Sequence, residues 1–412
     1  MPNEFTTPGV PIEELPPGPR VITSPATDVA AFVGYTAHAG IPPDGPLHLT
    51  PVRIHSYIEF EQHFGVPFTG GSPIPEYLLG WAVRLFFENG GRTCSVVSVG
   101  THGEPRSAAA LVSGVACLAA EPDVTLLAVP DAATLPEFTD YQAVVDAVLE
   151  QCGTLRNRLA LLDVWNGQLA PDALVNTGPA DGTPLLRTVV EATRSAVTQS
   201  HAFGGAFYPF VEVAAGGGVL HLPPSGAVAG TFAASDAARG VWKAPTGIAL
   251  AGVIRPVVSL SDVQQEPLNL DVAKGKSINV IRAFPGRGTV IWGARTLLGN
   301  DAEVKYIPVR RLLMMIETAV QRGTRWATFE PNAEPLWTAL RASVENYLTQ
   351  LWRDGALSGT RPQEAFSVRC GLGQTMTGED VSEGRVVLLM QLAVTRPAEF
   401  LLVRVTHTTA AP

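Results

Sequence analysis

Residues 77–99 read YLLGWAVRLFFENGGRTCSVVSV. Leu78, Trp81, Ala82, Leu85 and Phe86 recur at three- and four-residue spacing, which places them on one face of a helix over 76–89. Asn89-Gly90-Gly91 is the stop, because glycine readily takes the left-handed backbone that ends a helix. CSVVSV (94–99) then runs apolar without alternation, as a strand covered on both faces does. The same unit recurs downstream. Predicted helices over 107–120, 137–151 and 184–200 alternate with predicted strands over 124–129, 158–164 and 205–213. Upstream, VAAFVGYT (29–36) reads as another buried strand. The alternation predicts an α/β layer over 94–213 with crossover helices between parallel strands.

Beyond this layer, the glycine-rich stretch 214–226 reads as a loop before a short helix near 228–238. Strands are predicted over 253–260, 276–284 and 289–294, the last two joined by a turn at Gly286-Arg287-Gly288. Pro308 opens a helix carrying Leu312, Leu313, Ile316, Ala319 and Val320 on one face, and Gly323 ends it. A strand over 326–330 follows. Next comes a helix over 334–353, whose stripe is Leu336, Leu340, Val344, Tyr347, Leu348 and Leu351. Strands at 365–370 and 385–394 flank a capping-box spacing at Thr377 and Asp380.

The two ends differ from the body. Seven prolines fall within residues 1–27, so neither a helix nor a central strand can run through them. Yet Val10, Ile12, Leu15, Val21 and Ile22 are apolar, which a mere linker would not need. The last predicted strand, 399–405, has Leu401, Val403 and Val405 on one face and Phe400 and Leu402 on the other. Such a strand needs cover on both faces. Two apolar extended ends suggest strand exchange between subunits; the alternative is that each folds back on its own domain.

Composition narrows the function. The chain has 412 residues, 46% apolar and 16% charged, with 29 Lys and Arg against 38 Asp and Glu. The net charge of −9 argues against a nucleic-acid partner. The apolar content supports sizeable cores rather than disorder. No run of about 18 consecutive apolar residues suggests a membrane span, and MPNEFTTPGVPIEELPPG lacks the apolar region of a signal peptide. Cys94, Cys117, Cys152 and Cys370 are far apart in sequence and form no CxxC pair, so a reducing, cytoplasmic setting fits and a disulfide framework or zinc site does not. Histidines 38, 48, 55, 63, 102, 201, 221 and 407 show no metal-ligand spacing. HExxH, GxSxG and GxxxxGK[ST] are absent from the sequence. Catalytic, cofactor-binding and metal residues are therefore expected to be none. An enzyme binding a nucleotide or small molecule at strand ends is the alternative, with Asp131 and Asp163 as its acids.

The sequence also resembles the contractile tail sheath family of contractile phages, phage-tail-like bacteriocins and extracellular contractile injection systems. The stretches that carry the resemblance are TPGVPIEELPPGPRVI (7–22), DVAAFVGYT (28–36), the opening stretch 77–99, PPSGAVAGTFAASDAARGVWKAP (223–245), INVIRAFPGRGTVIWGARTL (278–297) and the run 306–405. Within that run VRRLLMMIETAVQRGTRWATFEPNAEPLW (309–337) is the most specific, whereas 100–220 matches more loosely. The resemblance implies an α+β core sheath domain, an α/β outer domain, and N- and C-terminal arms donated into neighbouring subunits. On that reading the segments are an arm over 1–27, an outer α/β region over 28–245 (with packing of 28–99 on the core as the alternative), a core over 246–397 and a C-terminal strand over 398–412. Arm contacts would come from Val10, Ile12, Leu15, Val21, Ile22, Phe400, Leu401, Leu402, Val403 and Val405. The helix 334–353 would face the tube through Arg341, Glu345 and Arg353.

The implied function is structural: stacked six-subunit rings around an inner tube, assembled in a bacterial cytoplasm as part of a phage tail or a particle released from the cell. The implied partners are copies of the chain, sheath paralogues, the inner tube protein, and baseplate and tail-terminator proteins. A sheath-related baseplate or terminator protein is a further alternative.

Overall fold

The first strand, β1 (Ala30–Thr36), is buried along its whole length and lies inside a sheet rather than at its edge. The computed structural model describes residues 21–40, 47–69, 72–73, 76–178, 184–199 and 201–399. From β1 the chain passes through β2 (Val52–Ile54), α1 (Tyr57–Phe64), the short hairpin β3–β4 (Phe68–Thr69, Ser72–Pro73) and α2 (Leu79–Glu88) to β5 (Cys94–Thr101). Next come α3 (Ala108–Cys117), β6 (Leu126–Ala128), α4 (Phe138–Leu155) and β7 (Leu159–Asp163). The hairpin β8–β9 (Leu174–Asn176, Leu186–Thr188) and α5 (Val189–Ala196) lead to β10 (Gly204–Tyr208).

After β10 the chain forms β11 (Val211–Ala215), β12 (Gly218–Leu222), α6 (Ser225–Arg239), β13 (Val253–Pro256), α7 (Asp262–Asn269), β14 (Ile278–Phe284) and β15 (Gly288–Trp292). The principal sheet has the order β15-β14-β10-β7-β6-β1-β5-β2. Its six inner strands are parallel, and β15 and β2 close the edges antiparallel. The α/β layer is therefore wider than 94–213: β1 inserts between β6 and β5, and β14 extends the sheet beyond β10.

Consecutive residues of β1 show why its apolar run does not alternate. The Phe32 ring meets Phe86 of α2 with centroids 5.5 Å apart. Val33 points to the other face, against Gly114 of α3, where a Cβ would run into Val33 and Val99. Both faces are thus covered by helices. On the α2 face, Gly230 lets α6 approach the backbone carbonyl of Phe86. The principal core joins Phe32, Trp81, Phe86, Leu127, Leu161 and Phe207 with their neighbours.

Three expectations change here. The strand predicted over 205–213 is two strands in different sheets, because Pro209 has no N–H to continue a ladder: β10 stays in the large sheet and β11 joins β12-β11-β13. The glycine-rich "loop" over 214–226 is the β11–β12 hairpin, turning on Gly216 and Gly217, both with positive φ, before α6 begins at Ser225. The helix predicted over 184–200 yields its first turns to β9, and α5 starts only where Thr188 and Glu191 form a capping box.

The rest of the chain comprises α8 (Ile307–Gly323), α9 (Glu334–Arg353), α10 (Pro362–Ala365), β16 (Phe366–Arg369), α11 (Gly378–Ser382) and β17 (Leu389–Leu392). Two compact units result. The larger holds described residues 25–318 and 395–399; the smaller holds 21–24 and 319–394. Hydrogen bonds from β14 to β10 and from β15 to β14 carry 278–292 into the large sheet, and the smaller unit begins within α8.

Candidate functional site

The smaller unit is built on α9. Leu336, Trp337 and Leu340 meet Cys370 and Met376 in a compact apolar cluster, on which Trp326, Ala327, Val381 and Leu388 pack. Beside it β16 and β17 form an antiparallel ribbon, with Phe366 opposite Leu392 and Arg369 opposite Leu389. Among the described residues neither strand has a second partner strand. The strand predicted over 385–394 contracts to four residues, and Val386, Val387 and Leu389 are exposed. One face of this ribbon packs on α9, with Val368 buried, and Val394 just beyond β17 bridges to Leu357.

The loop that enters α9 also departs from expectation. The strand predicted over 326–330 is a single 3-10 turn, Arg325–Ala327, followed by irregular chain. Phe329 has φ +71° and is fully exposed. A left-handed backbone at an aromatic residue is strained and needs surrounding structure to hold it. Asn332 is one such anchor: its amide donates to the carbonyls of Val381 and Arg385, and its oxygen accepts the Trp337 indole at 2.7 Å.

Of the tube-facing candidates on α9, Glu345 and Arg353 lie on the exposed side. Arg341 is partly engaged, donating to the Cys370 carbonyl and the Thr338 hydroxyl, each at 3.3 Å.

Of the arm candidates, Val10, Ile12, Leu15, Phe400, Leu401, Leu402, Val403 and Val405 lie outside the described residues, as does the predicted strand beyond Glu399. Val21 is 81% exposed, while Ile22 is 5% exposed and packs against Gly323. Ser24 shares a hydrogen bond of 3.0 Å with the Tyr347 hydroxyl.

In the larger unit, residues bordering both ends are held by buried arginines that the sequence reading did not single out. The Thr27 hydroxyl donates to Asp236 at 2.7 Å, and its carbonyl accepts from Arg311 at 2.8 Å. Arg311 and Asp236 form a bidentate pair at 2.6 and 3.0 Å, each side chain 3% exposed, with the guanidinium over the Phe232 ring. At the other end, Glu399 accepts two bonds from Arg295 at 2.6 and 2.7 Å, one from Tyr306 at 2.9 Å and one from Asn269 at 2.9 Å. Burial works to raise the Glu399 carboxyl, but these hydrogen bonds outweigh it and hold the group below the usual range for glutamate. The available signal was a charge inside an apolar pattern: Arg311 sits in IPVRRLLMMI, where a helical residue facing the core must find a partner.

The two acids of the enzyme alternative are structural. Asp131 is fully buried and accepts from the backbone N–H groups of Tyr35 and Leu78 at 2.8 and 2.6 Å. Asp163, at the end of β7, accepts from the Ser225 N–H at 2.9 Å. The cavity beside Asp163 is only about 10 Å³, room for a single water. Among the described residues no His, Cys, Asp and Glu cluster could hold a metal, and no helix is long and apolar enough to cross a membrane.

Comparison with solved structures gives this architecture a family. Over 98% of the chain it superposes on the helical sheath of the anti-feeding prophage in its contracted state, with TM-score 0.75, 32% identity and 99% of that chain covered. The sheath complex of the extracellular contractile injection system PVC, also contracted, matches over 98% of both chains with TM-score 0.73 and 30% identity. The chain belongs to the contractile tail sheath family. The model of the phage tail sheath C-terminal domain matches residues 300–408 of this sheath chain. The tail sheath protein of Vibrio phage KVP40 is 27% identical over 133 residues, 32% of this chain. That match spans only 19% of the phage protein, so the phage relative is a much longer chain. As a contractile sheath protein, this mixed α/β chain is a structural subunit of a contractile injection system or phage-tail-like particle and not an enzyme.

Proposed function

We propose that the chain polymerises with copies of itself into stacked six-subunit rings around an inner tube, and that contraction of this lattice drives the tube through a target envelope. The observation that carries the reading is the β16–β17 ribbon, which has no further strand among the described residues and leaves Val386, Val387 and Leu389 exposed. Its complement is the pair of apolar ends, 1–20 and 400–412, whose side chains suit an added strand. An arm of six to eight residues laid on such an edge gains several ladder hydrogen bonds, each about 0.5–1.5 kcal/mol net. Side chains such as Leu401 and Val403 add about 1.5–3 kcal/mol each if fully buried. A junction of that strength survives while subunit bodies rotate about it. Contraction then needs no nucleotide: the extended lattice lies higher in free energy, and new contacts between bodies supply the difference.

In this reading the core and outer domains of the family correspond to successive layers outward from the tube, with Arg341, Glu345 and Arg353 of α9 facing it. Baseplate and tail-terminator proteins cap the two ends of the sheath. Assembly takes place in the bacterial cytoplasm, before release of the particle. Negative-stain electron microscopy of the purified protein tests the proposal. Rings or hollow tubes are expected from the full chain, and folded monomers after deletion of residues 1–20 or 400–412. Truncated chains that still assemble would refute the arm exchange.

A further inference from the structure

We infer that the two buried arginine clamps, Arg311–Asp236 on Thr27 and Arg295 on Glu399, fix the points at which the arms leave the larger unit and are the route by which lattice tension enters it. The inference rests on the sheath reading above.

The argument starts from where the clamps lie. Thr27 is seven residues from the undescribed stretch 1–20, and Glu399 immediately precedes 400–412. Within the larger unit each root is gripped by its own polar atoms; nearer to residues 1–20, in the smaller unit, Ile22 is buried against Gly323 and Ser24 bonds Tyr347. Apolar contacts are non-directional and can slide when a lattice rearranges. A bidentate guanidinium–carboxylate pair sets distance and angle together. Thr27 is held from both sides of its peptide, by its hydroxyl to Asp236 and its carbonyl to Arg311 and Thr125. Glu399 has four donors on its two oxygens.

The clamps are also backed by rigid structure. Arg295 donates its remaining terminal nitrogen to the Gly299 carbonyl at 2.7 Å. Its backbone N–H donates to Asn279, and the Asn279 amide donates back to the Arg295 carbonyl and to Ala206. Asn279 is fully buried in β14, and Ala206 is in β10. A pull on Glu399 is thus delivered to β14 and β10, at one end of the parallel strands. On the other side, Asp236 belongs to α6 and Arg311 to α8, so a pull on Thr27 is delivered to two long helices. Pro397 and Ala398 lead into the Glu399 clamp along a half-open cavity of about 250 Å³ flanked by Trp292 and Tyr306. The described C-terminal residues thus line this cavity up to the clamp on Glu399.

The test uses the full-length protein with Glu399→Ala, Glu399→Gln and Thr27→Val. Thr27→Val keeps the side-chain shape and removes only the hydroxyl, so it guards against a variant that merely unfolds. Hydrogen exchange is followed by mass spectrometry on dilute monomer. The hydrogen-bonded amides around Arg295, those of Arg295, Thr296, Leu297 and Ile307, are expected to exchange at least tenfold faster in the Glu399 variants, and those of Thr125 and Leu126, which bond Val29, in Thr27→Val, with the opposite root unchanged in each case. Sheath formed with inner tube subunits is then scored by electron microscopy. The extended fraction is expected to fall at least fivefold in each variant, with the contracted form or free rings taking its place. Unchanged exchange, or faster exchange with a wild-type extended fraction, would overturn the inference while leaving the sheath reading intact. A wild-type chain that forms neither rings nor tubes would overturn both.

Discussion

The carboxylate of Asp163 accepts the backbone N–H of Ser225 at 2.9 Å, tying the end of β7 to the first residue of α6. Burial pushes its pKa up to about 7, against the lowering pull of the Ser225 backbone and side chain. An unfolded aspartate ionises near 3.9, on the order of three units lower. Between these values the folded state binds more protons than the unfolded one, so this group's contribution falls as pH rises from about 4 to about 7. Asn in its place keeps an acceptor for Ser225 and removes the titration. Asp163→Asn is therefore expected to gain on the order of 3–4 kcal/mol over the wild type at pH 8 and much less at pH 4.5. Urea unfolding of both proteins at the two pH values measures it; an equal difference at both would contradict the assignment.

Asp131 has the same chemistry and the opposite expectation. Both of its oxygens are taken by backbone donors, Tyr35 from β1 and Leu78 just before α2. Asp131→Ala strands two buried N–H groups at about 1–3 kcal/mol each, so a loss of about 2–6 kcal/mol is expected. Burial raises the wild-type acid to about 6 despite these donors. With both oxygens taken by backbone donors, it is a staple between strand and helix. Chemical denaturation at pH 7 supplies the measurement.

Much of this fold is legible because its elements carry strong local signals. The β1 and β5 runs are apolar on both faces, and both are inner strands; Thr377 and Asp380 cap α11 as their spacing foretells. The errors fall where a local pattern has two physical readings. Gly216-Gly217 suits a flexible loop or a two-residue hairpin turn, and only the pairing of Val211 with Leu222 decides. WATFE has strand-forming composition but no strand to pair with, and it ends at Pro331. The clamps were harder to see. Thr27 and Asp236 are 209 positions apart, Arg295 and Glu399 104, and no local pattern encodes which distant carboxylate a buried arginine will meet.

Phe329 offers a prediction about strain. Its φ of +71° costs about 1 kcal/mol for a residue with a Cβ, and full exposure means its ring contributes no packing within the described chain. Asn tolerates this backbone region better. Phe329→Asn is expected to leave the isolated subunit as stable as the wild type or about 0.5–1 kcal/mol more so. If the ring is retained for a lattice contact, the same variant should raise the concentration needed for polymerisation. Thermal unfolding and sedimentation read the two effects separately.

The exposed face of α9 gives a third kind of test. Reversing Glu345 and Arg353 together keeps the net charge and removes no buried contact, so stability should change by less than about 0.5 kcal/mol. Sheath formation on tube subunits should nevertheless decline, and more steeply at low salt, where exposed charges act over longer range. Arg341→Ala should instead cost stability, because Arg341 satisfies the Cys370 carbonyl. Unaltered assembly of the charge-reversed protein would move the tube contact off this helix.

The ribbon provides the last prediction. Val387 and Leu389 are exposed in the single chain, and Leu389 is the first residue of β17. Replacing both with Lys removes no buried contact within the described residues, so monomer unfolding should shift little. In a lattice the expectation differs. If an arm from a neighbour covers these positions, each substitution forfeits about 1.5–3 kcal/mol of burial and places a charge against an apolar strand. At 1.4 kcal/mol per decade, the critical concentration for tube growth should rise at least a hundredfold for the pair. Lysine on an edge strand is also the means by which soluble proteins prevent strand addition. A double variant that unfolds like the wild type yet stays monomeric would separate the ribbon's part in assembly from its part in folding, whereas growth at the wild-type concentration would show that the arms dock elsewhere.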